Sequence, residues 1–128
     1  MVDRDGERFT DEAASHVDRG HDRYQRHTPV PAIPAWMVFD SRQHRRHPPG
    51  RAFPPGLTPK WAVESGFLRR AETVQALAER RGIDPAGLRR TVHLFNGVAS
   101  TGRDQDCGRS DSAYDRCCGD PCVRPNPT

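Results

Sequence analysis

Apolar side chains recur at helical spacing along the second half of the chain. In the stretch "ETVQALAERRG", residues 72–82, Val74, Leu77 and Ala78 fall on one face of a helix. Gly82 closes this stretch, at a position where glycine commonly ends a helix in the left-handed conformation. The pattern therefore predicts an amphipathic helix that stops at Gly82.

A second helix is predicted directly after the first, in the stretch "IDPAGLRRTVHLFNGVAS". Asp84 can cap its first turn, and Pro85 occupies the first helical position, where its missing N–H group is tolerated. Leu88, Val92 and Phe95 follow at i, i+4 and i+7, which places them in one stripe along the helix. We expect this stripe to be buried.

The N-terminal part of the chain predicts a hairpin followed by a helix. Residues 2–10, "VDRDGERFT", indicate a β-hairpin whose turn lies at "RDG", where Gly6 is free to take a positive φ. Residues 11–19, "DEAASHVDR", indicate a short helix, because Asp11 suits the cap and Glu12 suits the positive end of the helix dipole. The prolines of "HTPVPAIP" then predict an extended segment.

Two more strands and a long loop complete the pattern. The apolar run "AWMVFD", residues 35–40, has the length of a strand buried on both faces, and residues 66–71, "GFLRRA", indicate a second short strand. Residues 41–60 are rich in Pro, Arg and His and are predicted to be a loop. The order of elements is that of a mixed α+β fold. We expect it to span residues 1–106, with an irregular Cys- and Pro-rich tail over residues 107–128.

The composition limits what such a fold can do alone. Only 34% of the 128 residues are hydrophobic and 12 are prolines, so a self-sufficient core is not expected. No apolar run approaches the roughly 20 residues of a membrane span. The N-terminus also lacks the apolar segment of a signal peptide. We therefore expect a cytoplasmic protein with no membrane association.

The charges argue against a nucleic-acid partner. The 20 basic and 17 acidic residues interleave along much of the chain and leave a net charge of +3. A nucleic-acid face would gather basic residues on one side, with aromatic residues for stacking. The chain also lacks a G-x-G-x-x-G motif and a P-loop, so it cannot by itself form a dinucleotide-binding βαβ unit.

Four stretches carry a resemblance to a known family: "VDRDGERFTDEAASH", "PAWMVFDSRQHRRHPPG", "GIDPAGLRRTVHLFNGVASTGRDQDCGRSDSAYDR" and "GDPCVRPNP". In the same order along the chain, they resemble motifs of the FAD-dependent oxidoreductases that include fumarate reductase flavoproteins and 3-oxosteroid 1-dehydrogenases. The steroid dehydrogenase branch is the most similar. The longest stretch matches a specific motif, F-N-x-x-A-x-x-G-x-D-x-D-F-G-R-G-x-S-x-Y-D-R-Y-Y-G-D-P.

The resemblance implies a part of such an enzyme. Family members combine a Rossmann-like FAD domain with an inserted mobile catalytic, or capping, domain, and this chain is similar to the capping domain and the start of the return towards the FAD domain. Neither FAD-anchoring segment of the family has a counterpart here, so FAD is the implied cofactor but is not expected to bind this chain alone. The implied partners are the missing FAD-binding domain, or a split partner chain, and a 3-ketosteroid-like substrate.

The resemblance also implies site residues. Four residues after the glutamate that matches Glu12, the steroid branch has a catalytic tyrosine and the fumarate reductases have an arginine; His16 stands there in this chain. An imidazole can also transfer the proton while hydride passes to the flavin. In a single helix, Glu12 would lie at i−4 from His16 and pair with it. Arg8 and Phe9 match the family's R-F pair, and with Glu12 they are expected near the flavin.

Simpler interpretations of these residues stay open. His16 can be a surface histidine on a polar helix, and Arg8 and Phe9 can belong to an ordinary hairpin. The chain also departs from the family, since Cys107 stands in place of a Phe and Cys117 and Cys118 in place of a Tyr pair. We interpret these changes as drift under relaxed constraint, and the cysteines as free thiols.

The cysteines permit a different hypothesis, a small zinc-binding or interaction module built on the tail. Structural zinc sites favour paired arms with two to four residues between ligands. Here the spacing is C-x9-C-C-x3-C, in which only Cys118 and Cys122 are usefully placed, so no metal ligand is assigned. Three hypotheses remain: an inactive fragment of a 3-oxosteroid dehydrogenase-like flavoprotein, one half of a split flavoprotein, and the tail module.

Overall fold

The structure, a computed structural model, describes residues 1–46 and 57–109. These ranges form five helices: α1 His16–His27, α2 Ser41–Arg46, α3 Lys60–Glu64, α4 Val74–Arg81 and α5 Pro85–Thr101. Strand pairing in the same ranges is limited to two isolated antiparallel bridges, in which Val2 pairs with Arg8 and with Trp36. The predicted α+β fold is therefore not confirmed, since the described residues are helices joined by irregular segments.

The two helices predicted from the second half of the chain are present. Gly82 ends α4 with a left-handed φ of 66°. Asp84 caps α5, because its carboxylate accepts hydrogen bonds from the N–H groups of Ala86 and Gly87. Pro85 is the first helical residue, as predicted. Both boundaries lie where local capping chemistry places them.

The core lies where this helical pair meets the N-terminal hairpin. Its buried members are Val2, Ala78, Ile83 and Leu88, and the partly buried side chains against it are Trp36, Val38, Val74 and Val92. The predicted stripe of α5 starts in this core, with Leu88 completely buried. Leu88 is also the largest fully buried apolar side chain among the described residues, so the core is small, as the composition indicates.

The hairpin turn sits directly on the first turn of α5. Gly6 has a φ of 75°, and a Cβ atom placed on it would lie 2.3 Å from the backbone nitrogen of Leu88. A Cβ atom on Gly87 would lie 1.8 Å from the carbonyl oxygen of Asp5. The hydroxyl of Thr91 donates a hydrogen bond to the carbonyl of Gly6 at 2.7 Å. Glycine is required on both sides because the two backbones touch.

The first helix starts later than the helix that the sequence predicts over residues 11–19. The Asp11 carboxylate accepts a hydrogen bond from the N–H of Ala13 and so forms a local turn instead of a helix cap. The helix α1 begins at His16, with Ser15 as its N-cap. Glu12 therefore lies in the turn before α1 and not within the helix.

The predicted strands are corrected as well. In the run 35–40 only Trp36 forms a bridge, and Met37 is half exposed, so this run is not buried on both faces. Residues 66–71 form no strand. The Arg81 guanidinium donates hydrogen bonds to two carbonyl oxygens of this segment, so a side chain binds backbone groups that a strand partner would otherwise bind.

The predicted loop over residues 41–60 contains helix α2 and the first residue of α3. Asp40 starts α2 by accepting a hydrogen bond from the N–H of Gln43 at 2.7 Å, so a cap stabilises a helix that shows no apolar periodicity. Residues 47–56 lie outside the described part of the chain. Of the predicted tail, only residues 107–109 are described. No described helix has the length and apolar character needed to cross a membrane.

Candidate functional site

Four charged side chains from the two ends of the described chain meet in one buried group, which we call the ion-pair cluster: Arg8, Glu12, Asp104 and Arg109. Arg8 donates to both carboxylate oxygens of Glu12, from Nε at 3.2 Å and from its terminal nitrogen at 2.9 Å. Its other terminal nitrogen donates to Asp104 at 2.7 Å. Arg109 donates to Glu12 at 3.2 Å. The cluster thus joins the hairpin to the segment that follows α5.

Asp104 organises that segment. One of its carboxylate oxygens accepts hydrogen bonds from the N–H groups of Asp106, at 3.1 Å, and Cys107, at 3.2 Å. The other oxygen accepts from the N–H of Arg109 at 3.3 Å, in addition to the bond from Arg8. The chain therefore wraps around this buried carboxylate, which brings the Arg109 side chain back to Glu12.

The cluster fixes the charge state of its members. Burial would raise the pKa of Glu12, but the amino group of Met1 and the guanidinium of Arg8 outweigh it and lower the pKa to about 2. Burial would also raise the pKa of Asp104, but the hydrogen bond and the charge of Arg8 outweigh burial and lower it. Both carboxylates are engaged by hydrogen bonds, and their lowered pKa makes each a weak proton acceptor.

The apolar stripe of α5 ends beneath this cluster. The guanidinium carbon of Arg8 lies 5.2 Å from the centre of the Phe95 ring, within the range of a cation–π contact. Phe95 is the third residue of the stripe that the sequence predicts. The stripe therefore serves two purposes: its first residue, Leu88, enters the core, and its last supports the Arg8 side chain.

A second set of polar contacts fixes α1 to the hairpin. Arg26 donates to the buried carboxylate of Asp3 at 2.6 Å and to Glu7 at 2.9 Å. The buried hydroxyl of Thr10 donates to Asp22 at 2.6 Å. Helix α1 has no buried residue of its own. The element that begins with His16 is thus positioned by hydrogen bonds and ion pairs, with little apolar packing.

The structure separates two residues that the sequence pairs. His16 is the exposed first residue of α1, and Arg19 donates a hydrogen bond to its Nδ1. Glu12 pairs with Arg8, Arg109 and the Met1 amino group, so the predicted pair of Glu12 with His16 is not formed. The reason is the turn before α1, which removes the one-turn helical spacing. Phe9, which follows Arg8 in the sequence, is half-buried.

Sequence reasoning did not single out Asp104 and Arg109. A signal existed, since both belong to the longest of the matched motifs, in "GRDQDCGR". Nothing in that spacing, however, reveals a contact with Arg8, which lies 96 positions earlier. The three-dimensional arrangement shows that two separate motifs form one ion-pair cluster.

The described residues show no group of metal ligands. Within residues 1–46 and 57–109, no group of three His, Cys, Asp or Glu side chains could hold a metal ion. Cys107 is a free, half-buried thiol, and burial is the main cause that raises its pKa. Cys117, Cys118 and Cys122, on which the zinc hypothesis depends, lie outside the described part.

Comparisons with known proteins agree with the motifs. The chain is 37% identical over 137 aligned residues to the 3-oxosteroid 1-dehydrogenase of Mycolicibacterium smegmatis, and the alignment covers 99% of this chain. It is 33% identical, over 98% of its length, to the 4-oxocyclohex-2-ene-1-carboxylate 5-dehydrogenase of Sinomonas cyclohexanicum. No protein-family model matches the chain.

A solved structure supports the same relationship. The crystal structure of 3-ketosteroid delta1-dehydrogenase from Sterolibacterium denitrificans, in complex with 1,4-androstadiene-3,17-dione, matches 98% of this chain with a TM-score of 0.86 and 33% identity. The chain spans 23% of that structure and 21–23% of the two curated relatives. The resemblance that the motifs indicate is therefore confirmed: the chain is related, over almost all its residues, to a segment of the 3-oxosteroid 1-dehydrogenases.

Proposed function

We propose that this chain is the capping, catalytic segment of an FAD-dependent dehydrogenase and is inactive alone. The observation that carries the proposal is the match to a 3-ketosteroid dehydrogenase along 98% of the chain, with a TM-score of 0.86. The two relatives are named for a 3-oxosteroid and a 4-oxocyclohexene carboxylate, which are both cyclic ketones. The substrate class we propose is therefore a 3-ketosteroid or a smaller cyclic ketone.

We assign the acid–base position to His16. Arg19 donates to its Nδ1, so the neutral ring carries its proton on Nε2. This N–H group can donate a hydrogen bond to a substrate oxygen. To accept a substrate proton at Nε2, the ring would change to the tautomer with its proton on Nδ1, which requires the hydrogen bond from Arg19 to open. The exposed position of His16 at the start of α1 supports this role, because a substrate held by other parts of the enzyme can reach it.

The FAD site itself belongs to other parts of the enzyme in this proposal. The described residues contain only isolated bridges and so lack the strand–turn–helix unit that holds a dinucleotide. When bound there, the flavin would supply the hydride acceptor. Arg8, Phe9 and Glu12 would lie near it, where the Arg8–Glu12 pair contributes a fixed shape and charge distribution. The partner is an FAD-binding domain, joined covalently or as a split chain.

The isolated chain provides the first test. We expect the purified 128-residue protein to be colourless, to show no heat of binding when titrated with FAD, and to reduce no dye in the presence of a 3-ketosteroid. A yellow protein with stoichiometric FAD would show that the chain holds the cofactor without a partner, and would overturn the inactivity proposed here.

A chimera provides the second test. The matched segment of the Mycolicibacterium smegmatis enzyme is replaced by this chain, and steroid dehydrogenation is measured with a dye acceptor. In an active chimera, His16→Ala should lower kcat by about 100-fold, the lower end for loss of a general acid–base. His21→Ala, a change at another exposed histidine of α1, should alter kcat less than twofold. Equal effects of both substitutions would contradict the role of His16.

A further inference from the structure

A cavity of about 190 Å³ opens between the hairpin and the end of α4. Its lining consists of Arg4, Pro31, Ile33, Pro34, Trp36 and Arg81. None of these residues belongs to the ion-pair cluster or to the positions assigned to catalysis. The walls are an indole ring, two prolines and an isoleucine, and the polar groups are two guanidinium groups. No carboxylate lines the cavity.

The positive charge of this cavity has no carboxylate partner in the described chain. Arg81 donates hydrogen bonds to the neutral carbonyl oxygens of Gly66, at 2.7 Å, and Phe67, at 2.8 Å. Burial, and then the nearby guanidinium of Arg69, lower the pKa of Arg81. Within residues 1–46 and 57–109, neither Arg4 nor Arg81 forms a salt bridge.

Other described arginines have carboxylate partners: Arg8, Arg26 and Arg109 each pair with one or two. At this cavity Arg4 is exposed and Arg81 half-buried. Two guanidinium groups on the wall of one cavity both attract an anion that enters it. A planar guanidinium binds a carboxylate through two parallel hydrogen bonds.

We propose that this cavity binds the carboxylate group of a small, flat apolar acid. The two arginines would hold the carboxylate, and the Trp36 ring and the prolines would pack against the apolar body. The volume suits a body of about one ring, since pockets for drug-sized ligands start at roughly 300 Å³. The site is independent of FAD and of the proposed dehydrogenation.

The test is a titration of the full 128-residue chain with benzoate, followed by ¹H–¹⁵N NMR. We expect the indole N–H of Trp36 and the side-chain N–H groups of Arg4 and Arg81 to shift together with a Kd in the low millimolar range. Benzamide has the same shape without the charge and should bind at least tenfold more weakly, because it offers no anion to the guanidinium groups.

Variants locate the site. Arg4→Gln should weaken benzoate binding by about tenfold, which corresponds to one charge-assisted hydrogen bond. Arg45→Gln, which removes the same charge from an exposed position on α2, should alter the Kd less than twofold. Arg81→Gln should also weaken binding; its thermal unfolding is measured in parallel, because Arg81 also holds the segment at Gly66.

Three results would overturn the proposal. The first is an unshifted Trp36 indole at benzoate concentrations in the tens of millimolar. The second is equal binding of benzamide and benzoate, which would show that the cavity does not recognise charge. The third is a Kd unchanged by both Arg4→Gln and Arg81→Gln in folded protein, which would place the ligand elsewhere on the surface.

Discussion

The carboxylate of Glu12 joins three separate parts of the chain. It accepts hydrogen bonds from Arg8 in the hairpin and from Arg109 beyond α5, and it pairs with the amino group of Met1. The Glu12 side chain is only 17% exposed, and that of Arg8 only 7%. These cations are therefore largely removed from water, and they share Glu12 as a counter-charge, while Arg8 also pairs with Asp104.

We predict that Glu12→Gln lowers the free energy of unfolding by about 3 kcal/mol, because it removes the counter-charge that the Met1 amino group, Arg8 and Arg109 share. The measurement is urea unfolding followed by circular dichroism. Glu79→Gln is the control, since Glu79 is exposed on α4 and accepts one hydrogen bond from Gln75. That change should stay within about 0.5 kcal/mol. Equal stability of the two variants would show that Glu12 does not stabilise the fold as predicted.

The pH dependence of stability follows from the same residue. The pKa of Glu12 falls from 4.5, its ordinary value, to about 2 in the folded protein. The folded state thus favours the ionised carboxylate, and the resulting stability is present above pH 4.5 and lost as the pH falls towards 2. The loss should reach about 3 kcal/mol over this range.

The matched variant separates this contribution from others. Unfolding free energies measured between about pH 5 and pH 3 should fall less steeply for Glu12→Gln than for the unchanged chain. Some slope should remain, because the pKa of Asp104 is lowered as well. Parallel curves for the two proteins would mean that Glu12 titrates normally in the folded state.

At the scale of elements, the sequence predicts α4 and α5 correctly because their ends depend on neighbouring residues alone. Asp84 caps α5 through N–H groups two and three positions ahead, and Gly82 ends α4 by its own conformation. The start of α1 is different. Asp11 and Ser15 both offer caps, and the turn that leaves Glu12 outside the helix is the one in which Arg109 can reach it. The local sequence pattern does not show which of the two caps starts the helix, because Arg109 lies far along the chain.

The strand predictions were wrong for a related reason. An extended apolar segment becomes a strand only when another segment offers its backbone groups, and a sequence pattern does not show that partner. In residues 66–71, side chains bind three of the carbonyl groups: Arg81 binds those of Gly66 and Phe67, and Arg80 binds that of Arg70. Likewise, the sequence pointed to Arg8 and Glu12 through the family resemblance, but their partner Asp104 required the three-dimensional structure.

Two glycines of α5 allow the contact between the hairpin and this helix to be tested. Gly87→Ala places a Cβ atom 1.8 Å from the carbonyl oxygen of Asp5, so we expect a loss of about 2–3 kcal/mol, typical of overpacking. Gly97→Ala meets no atom within 4 Å and should gain up to about 1 kcal/mol from helix propensity. Thermal unfolding measures both. A Gly87→Ala protein as stable as Gly97→Ala would contradict the close approach.

At the scale of the whole molecule, polar contacts connect elements that a small core leaves apart. The hairpin is the common partner: Asp3 binds Arg26 of α1, Gly6 rests on α5, and Arg8 binds Asp104. Helix α1 exposes its two largest apolar side chains, Val17 at 66% and Tyr24 at 71%. The fold is thus held together by charged groups that act jointly, since they share the same few partners.

A double-mutant cycle tests this joint action. Glu12→Gln and Asp104→Asn each remove one carboxylate from Arg8, so their combined effect should differ from the sum by about 1–2 kcal/mol. The comparison pair, Glu12→Gln with Glu79→Gln, should add within about 0.5 kcal/mol, because Glu79 shares no partner with Glu12. Unfolding in urea gives all the values. Simple additivity of the first pair would show that the contacts act separately.

The seating of the hairpin turn on α5 also determines when the fold can form during synthesis. Thr91 and Gly6, which are joined by a hydrogen bond, lie 85 positions apart. At translation rates of about 5–20 residues per second, the ribosome needs roughly 4 to 17 seconds to add that stretch. During that interval Val2, and Trp36 once it has been made, have no core to enter. The nascent chain therefore waits, with these side chains accessible to chaperones, until the helix that completes the fold has been made.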